Sequence, residues 1–102
     1  MRVIAVSTLR SFWLVHRDSE QPLRAWYHEA KAARWQSPAE VKGLFRTASI
    51  LKAGRVVFNI SGNRYRLVCQ IGYKSQVLFV KFIGTHEEYD QIDAQHVEPR
   101  RG

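Results

Sequence analysis

Apolar residues recur at helical spacing through the first half of the chain. One segment, which Ser7 or Thr8 can cap, places Leu9, Phe12 and Trp13 on one face. A second segment begins after Ser19, and its single apolar stripe consists of Leu23, Trp26, Tyr27, Ala30 and Ala33. Both patterns predict amphipathic helices that pack against a common core.

Two shorter elements flank these helices. Ser37-Pro38-Ala39-Glu40 has the form of a capping box with proline at the first helical position, and it predicts a short helix through Phe45. Met1 to Val6 alternates loosely between apolar and polar side chains, and this pattern predicts an edge strand.

The second half of the chain has the pattern of an antiparallel meander. Residues 56–60 are rich in strand formers and precede the turn signal Ser61-Gly62-Asn63. Residues 64–71 alternate, and residues 77–83 are apolar on both faces, so the last strand should be central and covered. We therefore predict a single α+β domain over residues 1–102, of β-α-α-β-β-β type with a short final helix.

The charge distribution predicts a binding surface on this fold. The 102 residues carry 16 Lys or Arg and 9 Asp or Glu, which gives a net charge of +7. The stretch 41–86 holds 8 Lys or Arg and no acid, and it contains the strong strand signals. A cationic excess concentrated on the predicted sheet favours a polyanionic partner, either nucleic acid or an acidic protein.

Several classes of protein are disfavoured by composition. The single cysteine, Cys69, excludes an intramolecular disulfide and a Cys-rich zinc site. No apolar run approaches the roughly 20 residues of a membrane helix, and the opening residues are too few for the apolar core of a secretory signal. We expect a cytoplasmic protein that does not contact a membrane.

Register arithmetic gathers polar residues at one edge of the predicted sheet. Residue numbers that lie opposite each other in an antiparallel hairpin have a constant sum. A turn centred near residue 74 or 75 places Arg66 opposite Phe82 or Ile83, and places Arg64 near residues 84 and 85. Both arginines should then lie on one face of their strand.

The chain that leaves the central strand brings titratable groups to these arginines. His86 and Tyr89 follow the strand directly, and Asn59 can approach from the preceding strand. Arginine holds phosphate and stabilises developing negative charge, while histidine and tyrosine exchange protons. This set suggests phosphoryl transfer on RNA, because RNA supplies its own nucleophile, the 2′-hydroxyl, and requires neither a metal nor a covalent protein nucleophile.

The same residues also allow simpler interpretations. Arg64 and Arg66 can be ordinary exposed strand residues, and His86 can be part of the cap of the final helix. His86, Glu87 and Asp90 can also share a metal ion, since positions i and i+4 lie on one helix face. The acid-free stretch supplies no second ligand cluster.

Two motifs resemble those of a known family. They are Arg55-Val-Val-Phe-Asn-Ile-Ser-Gly-Asn-Arg-Tyr-Arg-Leu-Val68 and Phe82-Ile-Gly-Thr-His-Glu-Glu-Tyr-Asp90. Together they resemble the HigB group of bacterial toxins, and the Tyr-Arg-Leu-Val strand is similar to that of the wider RelE-like superfamily. The resemblance is specific over residues 52–92 and looser over the helical half.

The resemblance implies an mRNA interferase, an endoribonuclease toxin that acts on mRNA at the ribosome. It also implies neutralisation by a cognate helix-turn-helix antitoxin of the HigA type. Its expected fold has helices packed on one face of a small antiparallel sheet. No cofactor, metal or small-molecule partner is implied.

Site residues follow from the same motifs. Arg66 matches the arginine that contacts the scissile phosphate, Tyr89 matches a tyrosine placed after the last strand, and His86 is assigned to acid–base work. These three are the predicted catalytic residues. The predicted RNA or phosphate contacts are Arg64, Lys81, Asn59, Lys31 and Arg34.

The chain departs from the family pattern in two places. The lysine-rich helix that some relatives use to bind RNA is reduced here to Arg24, Lys31 and Arg34. The Asp-Tyr-His run near the C-terminus of some HigB toxins is replaced by Gln95-His96-Val97-Glu98. The division of proton transfer between His86 and Tyr89 is therefore open at this level.

Three other functions remain compatible with the residues. A non-catalytic basic RNA-binding module would need the same surface, with exposed aromatic rings for stacking. A basic adaptor would bind an acidic protein, and a metal-dependent nuclease would require a divalent cation.

Overall fold

A mixed sheet of five strands carries helices on one face. The computed structural model describes residues 1–99, so the last three residues of the domain predicted for 1–102 lie outside the described residues. In chain order the elements are β1 (Arg2–Ile4), α1 (Val6–Val15), a 3-10 turn (Arg17–Ser19), α2 (Glu20–Ala32), α3 (Pro38–Leu44), β2 (Ser49–Ile50), β3 (Arg55–Ile60), β4 (Tyr65–Gly72), β5 (Val77–Thr85) and α4 (His86–Tyr89).

The sheet has the order β1-β5-β4-β3-β2. Strands β3 to β5 form the predicted antiparallel meander, and the two-residue strand β2, which was not predicted, pairs with β3 at the edge of the sheet. The predicted N-terminal edge strand is also present, but β1 pairs with β5 in parallel, so the sheet is mixed rather than wholly antiparallel. The predicted α+β class and the short final helix are confirmed.

The beginnings of the first two helices differ from the prediction. Helix α1 begins at Val6, after Ala5 in the left-handed conformation with φ 75°, so Ser7 and Thr8 lie inside its first turn rather than at its cap. The chain must reverse directly after β1, and the Thr8 amide closes this turn on the Ala5 carbonyl at 3.0 Å. Ser19 precedes α2 as predicted, but its hydroxyl donates to the His16 carbonyl and does not cap the helix.

The core lies between the helices and one face of the sheet. The stripe of α2 contributes Leu23, Trp26 and Ala30, all at most 2% exposed, as its periodicity predicted. Alternate residues of β4 meet it, namely Tyr65, Leu67, Cys69 and Ile71. Burial raises the pKa of the Cys69 thiol well above its ordinary value, so the side chain is a small neutral hydrophobe.

A β-bulge changes the register at the end of the sheet that concerns function. Val68 pairs with Phe82, whereas Cys69 pairs with Val80, so Lys81 is the extra residue. The bulge places Arg66 opposite Gly84, and the prediction that it lies opposite Phe82 or Ile83 is wrong. The position of the turn predicts one constant sum for the numbers of paired residues along the whole hairpin. The bulge raises that sum by one beyond Cys69, and the sequence gives no sign of it.

The C-terminal segment 91–99 lies against the sheet face that the helices leave open. Gln95 exchanges two hydrogen bonds with the Lys52 backbone, at 2.9 and 2.7 Å. The buried Arg55 guanidinium donates to the Val97 carbonyl and to Glu98. The last strand was predicted to be central and covered, but β4 is central, β5 is second from the edge, and Phe79 of β5 is 38% exposed.

The helices of the described region are too short for a bilayer. Among residues 1–99, none is long and apolar enough to cross a membrane.

Candidate active site

Arg66 occupies the sheet face opposite the helical core. It lies directly across from Asn59 on β3 and from Gly84 on β5. Its guanidinium carbon is 5.8 Å from the centre of the Tyr89 ring, and one of its nitrogens donates to the Asn63 carbonyl at 3.1 Å. The structure therefore brings together three of the predicted site residues, Arg66, Tyr89 and Asn59.

A reciprocal cap fixes the one-turn helix that carries Tyr89. The Glu88 amide donates to the Thr85 hydroxyl at 3.1 Å, and the Thr85 amide donates to the Glu88 carboxylate at 2.8 Å. The Asn59 side chain is positioned by a separate contact, a hydrogen bond from its amide to the Thr47 carbonyl at 3.3 Å. Glu88 thus has a positioning role that was not predicted, although Thr85-x-x-Glu88 is the sequence form of a capping box.

His86 opens the same helix but faces a different group of side chains. Its Nδ1 lies 3.3 Å from the Asp90 carboxylate, one turn ahead. It also lines a cavity of about 300 Å³ whose other lining residues are His16, Arg64, Tyr65, Thr85 and Glu87. His86 and Tyr89 are three positions apart on one turn, so they are neighbours on the helix surface.

Arg64 is separated from Arg66. It lies in the turn before β4, where strand alternation does not apply, and it pairs with Asp18 at 2.5 Å on the helical side of the sheet. The prediction that both arginines share one strand face is therefore wrong. Asp18 also accepts a hydrogen bond from the Tyr65 hydroxyl at 2.5 Å.

The Tyr65–Asp18 hydrogen bond sets the ionisation of both groups. The Tyr65 hydroxyl, with a further contribution from Arg64, holds the pKa of Asp18 below its ordinary value. The same hydrogen bond raises the pKa of Tyr65. The pair is thus a carboxylate and a neutral phenol near neutral pH, and the carboxylate pins Arg64 at the mouth of the cavity.

Lys81, the bulged residue, is neutralised by the C-terminal segment. Its ammonium donates to Glu98 at 2.7 Å, and its side chain is 19% exposed. The hydrogen bond from Lys81, with support from Arg55, lowers the pKa of Glu98. Lys81 can contact RNA only after this ion pair opens or rearranges.

Lys31 and Arg34 lie at the far end of the helical layer. Lys31 is in the last turn of α2, with its ammonium 5.8 Å from the Tyr27 ring. Arg34 follows α2 and, after burial as the larger cause, its charge lowers the pKa of the Met1 ammonium. Neither of these contacts joins Lys31 or Arg34 to the Arg66–Tyr89 pair.

The acidic residues of the C-terminal corner are dispersed. Within the part of the chain that the structure describes, no three His, Cys, Asp or Glu residues are grouped so that they could hold a metal ion. Asp90 faces His86 alone, and Glu88 is engaged in the cap of α4.

Comparison with known proteins identifies the family. The model of the HigB toxin family, described as the RelE-like toxic component of a toxin–antitoxin system, matches residues 19–92. The chain belongs to this family. Curated relatives from Escherichia coli K12, named mRNA interferase toxin HigB, and from Shigella flexneri, named mRNA interferase HigB, are each 31% identical to it over 64 residues. These alignments cover 61% of this chain and 62% of each relative, which is less than two thirds of the relatives' length.

The HigB family match includes part of the site and excludes the rest. Arg66, His86 and Tyr89 fall within residues 19–92, whereas His16, Asp18 and residues 93–99 do not. Asp18 was missed by sequence reasoning because its partners are 46 and 47 positions away, and no local pattern signals such a contact.

Proposed function

We propose that this chain is the mRNA-cleaving toxin of a type II toxin–antitoxin pair. The observation that carries the proposal is the Arg66 guanidinium 5.8 Å from the centre of the Tyr89 ring, near one end of the central strand β4 and within the HigB family match. A planar guanidinium can bind two phosphate oxygens and stabilise the charge that develops on them. Tyr89 supplies a hydroxyl near the same phosphate.

The reaction is an internal transesterification. The 2′-oxygen of the RNA attacks the adjacent phosphorus, and the bond from phosphorus to the 5′-oxygen of the next nucleotide breaks. One proton leaves the 2′-hydroxyl and one reaches the departing 5′-oxygen, so the products are a 2′,3′-cyclic phosphate and a 5′-hydroxyl end. No metal, cofactor or protein nucleophile takes part.

His86 and Tyr89 handle the two protons. Asp90 lies beside Nδ1 of His86, so Nε2 is the ring nitrogen left for proton exchange with RNA. Asn59, directly opposite Arg66, offers an amide to the same phosphate. Arg64 and Lys81 contribute once RNA competes for their carboxylate partners.

The partners follow from the family and the charge. The family description, the toxic component of a toxin–antitoxin system, supports an antitoxin partner. We expect that antitoxin to be a helix-turn-helix protein of the HigA type. The net charge of +7 suits the ribosome and mRNA as the place of action.

The test is mRNA cleavage by the wild-type protein and an Arg66→Ala variant. The purified proteins are added to a bacterial translation extract and, in parallel reactions, to free RNA with and without EDTA. The RNA 5′ ends are mapped in every reaction. We expect Arg66→Ala to lower the cleavage rate on the order of 100- to 1000-fold. Arg10→Ala, an exposed arginine on α1, is the matched control and should cleave like the wild type.

Each alternative function gives a different result. Salt-dependent binding with intact RNA would replace this proposal by the non-catalytic RNA-binding module. Cleavage of free RNA that stops with EDTA would identify a metal-dependent nuclease, and equal rates for Arg66→Ala and the wild type would remove Arg66 from the site.

A further inference from the structure

The cavity beside His86 is lined in part by polar and aromatic side chains that have no role in the proposed cleavage. Its volume is about 300 Å³, at the lower end of the range for small-molecule sites. His16 lines it from the end of α1, and Arg64, Tyr65 and Glu87 line it from the sheet edge and α4. None of His16, Tyr65 and Glu87 has a part in the transesterification.

The charges around the cavity disfavour a second phosphate. Asp18 neutralises Arg64 at 2.5 Å, and Asp90 faces His86 at 3.3 Å. Glu87 adds an exposed carboxylate that has no ion-pair partner within residues 1–99. Arg64 is one cation among three carboxylates, Asp18, Asp90 and Glu87, so these groups repel an anion.

The ring geometry favours a flat aromatic ligand. The His16 ring is stacked on Phe12, with centroids 4.3 Å apart and planes 24° apart, and it lies 5.5 Å from the Tyr65 ring. Phe12 also meets Tyr65 edge to face at 5.3 Å, which makes a rigid support under the imidazole. Imidazole rings and guanidinium planes are platforms on which unpaired RNA bases stack.

The position of the cavity ties it to the proposed cleavage site. His86 lines it, and His86 is one turn from Tyr89, which faces Arg66. The cavity and the Arg66–Tyr89 pair therefore share the short helix α4. The cavity lies on the helical side of the sheet and Arg66 on its open face, so an RNA strand that reaches both must pass around the end of β5.

From these observations we infer that the cavity is a nucleobase subsite for a base beside the cleaved linkage, selective for bases with an exocyclic amino group. The inference rests on the proposed function. His16 and Arg64 stack on the base, and the Glu87 carboxylate accepts the amino hydrogen, as carboxylates do from cytosine. Adenine, cytosine and guanine meet this requirement, whereas uracil presents an oxygen and is repelled by Glu87.

The experiment uses RNA oligonucleotides that differ only in the base on either side of the cleaved linkage. Adenosine is compared with purine riboside, which lacks only the amino group. The wild-type protein should cleave the adenosine substrate with a kcat/KM about 5- to 150-fold higher. Glu87→Ala should remove this preference, whereas Glu29→Ala, an exposed carboxylate on α2, should preserve it.

A second variant tests the stacking contact. His16→Ala should raise KM about 5- to 150-fold for every base, because stacking does not depend on base identity. His28→Ala, an exposed histidine on α2, is its control and should leave KM unchanged. Circular dichroism melting of all four variants shows that each is folded.

A binding assay separates failure of the subsite from failure of the proposed function. The same oligonucleotides, with 2′-deoxyribose at the cleaved position, are titrated by fluorescence anisotropy. If the wild type binds adenosine RNA more tightly than purine riboside RNA but cleaves neither, even on ribosomes, the subsite is supported and the nuclease function is rejected. Equal treatment of adenosine and purine riboside, or an unchanged preference in Glu87→Ala, would overturn the subsite.

Discussion

Two arginines that are two positions apart have opposite environments. Arg66 lies on the open face of the sheet beside Tyr89, whereas Arg64 turns to the helical side and pairs with Asp18. The family motif predicted Arg66 and Tyr89 as site residues, and the structure brings their side chains together. The partner of Arg64 could not be predicted, because Asp18 reaches it only through packing of the 3-10 turn against the sheet edge.

The Tyr65–Asp18 hydrogen bond gives a pH-dependent prediction. The bond lowers the pKa of Asp18, so its contribution to stability is present above the unfolded-state pKa of about 4 and is lost as pH falls through the lowered folded value. Tyr65→Phe should therefore be less stable than the wild type at pH 7, and this difference should narrow below about pH 4. Urea unfolding across pH 7 to 2.5 measures it.

Tyr73→Phe is the matched control for that measurement. The Tyr73 hydroxyl is buried and has no hydrogen-bond partner within residues 1–99, and burial raises its pKa away from the acidic range. Its difference from the wild type should not vary with pH between 7 and 2.5. A Tyr65→Phe difference that is equally constant would show that Asp18 does not depend on the hydroxyl.

At the scale of elements, the periodicity of apolar residues predicted most helices and strands, whereas capping motifs did not reliably predict the hydrogen bonds at the helix ends. Ser37-x-x-Glu40 and Thr85-x-x-Glu88 have the same pattern, yet only the second forms the reciprocal cap. The Ser37 hydroxyl instead lies 3.4 Å from the Glu40 carboxylate, which also accepts from the Gln36 amide. A local motif names the start of a helix but does not decide which hydrogen bonds form there.

The end of β5 is sterically tight where it passes Arg66. A Cβ on Gly84 would lie 2.5 Å from the end of the Phe82 ring and 3.1 Å from the Glu88 carboxylate. Gly84→Ala must therefore displace the ring or disturb the cap of α4. We expect it to lower the free energy of unfolding by about 1–3 kcal/mol and to slow RNA cleavage, as measured by urea unfolding and cleavage rate.

Gly43→Ala is the control for this substitution. A Cβ at Gly43 meets nothing within 4 Å, and the residue lies within α3, where alanine is favoured over glycine by about 0.5–1 kcal/mol. Unchanged or increased stability is expected. If Gly84→Ala behaved in the same way, Phe82 would be free to move, and the bulged strand end would be less rigid than its packing indicates.

At the scale of the whole molecule, the acid-free stretch is less cationic than it looks in sequence. Arg55 and Lys81 share Glu98, and Arg64 pairs with Asp18, so acids from both ends of the chain neutralise three of its eight cations. Arg55, which is 5% exposed, holds the C-terminal segment rather than a polyanion. Sequence distribution showed where cations are concentrated but not which of them remain unpaired after folding.

Among the remaining cations, Lys74 is too far from Arg66 for both to act on one short ligand. Lys74 lies in the turn at the opposite end of β4 from Arg66, eight residues away, or roughly 26 Å along a strand. A four-nucleotide RNA that reaches Arg66 should therefore not reach Lys74. For single strands, the logarithm of affinity falls with the logarithm of salt by about 0.7 for each phosphate neutralised.

These distances predict that RNA affinity depends weakly on salt and that the dependence comes from cations at the Arg66 end of the sheet. For a four-nucleotide, 2′-deoxy-substituted RNA, we expect a slope between about −0.7 and −2, because one to three phosphates are neutralised. Arg66→Ala should reduce its magnitude by about 0.7, whereas Lys74→Ala should leave it unchanged. Anisotropy titrations from about 50 to about 300 mM salt measure the slope for both variants. Equal reductions by the two variants would mean that RNA is bound diffusely across the sheet, and the phosphate position at Arg66 would then have no special standing among the cations.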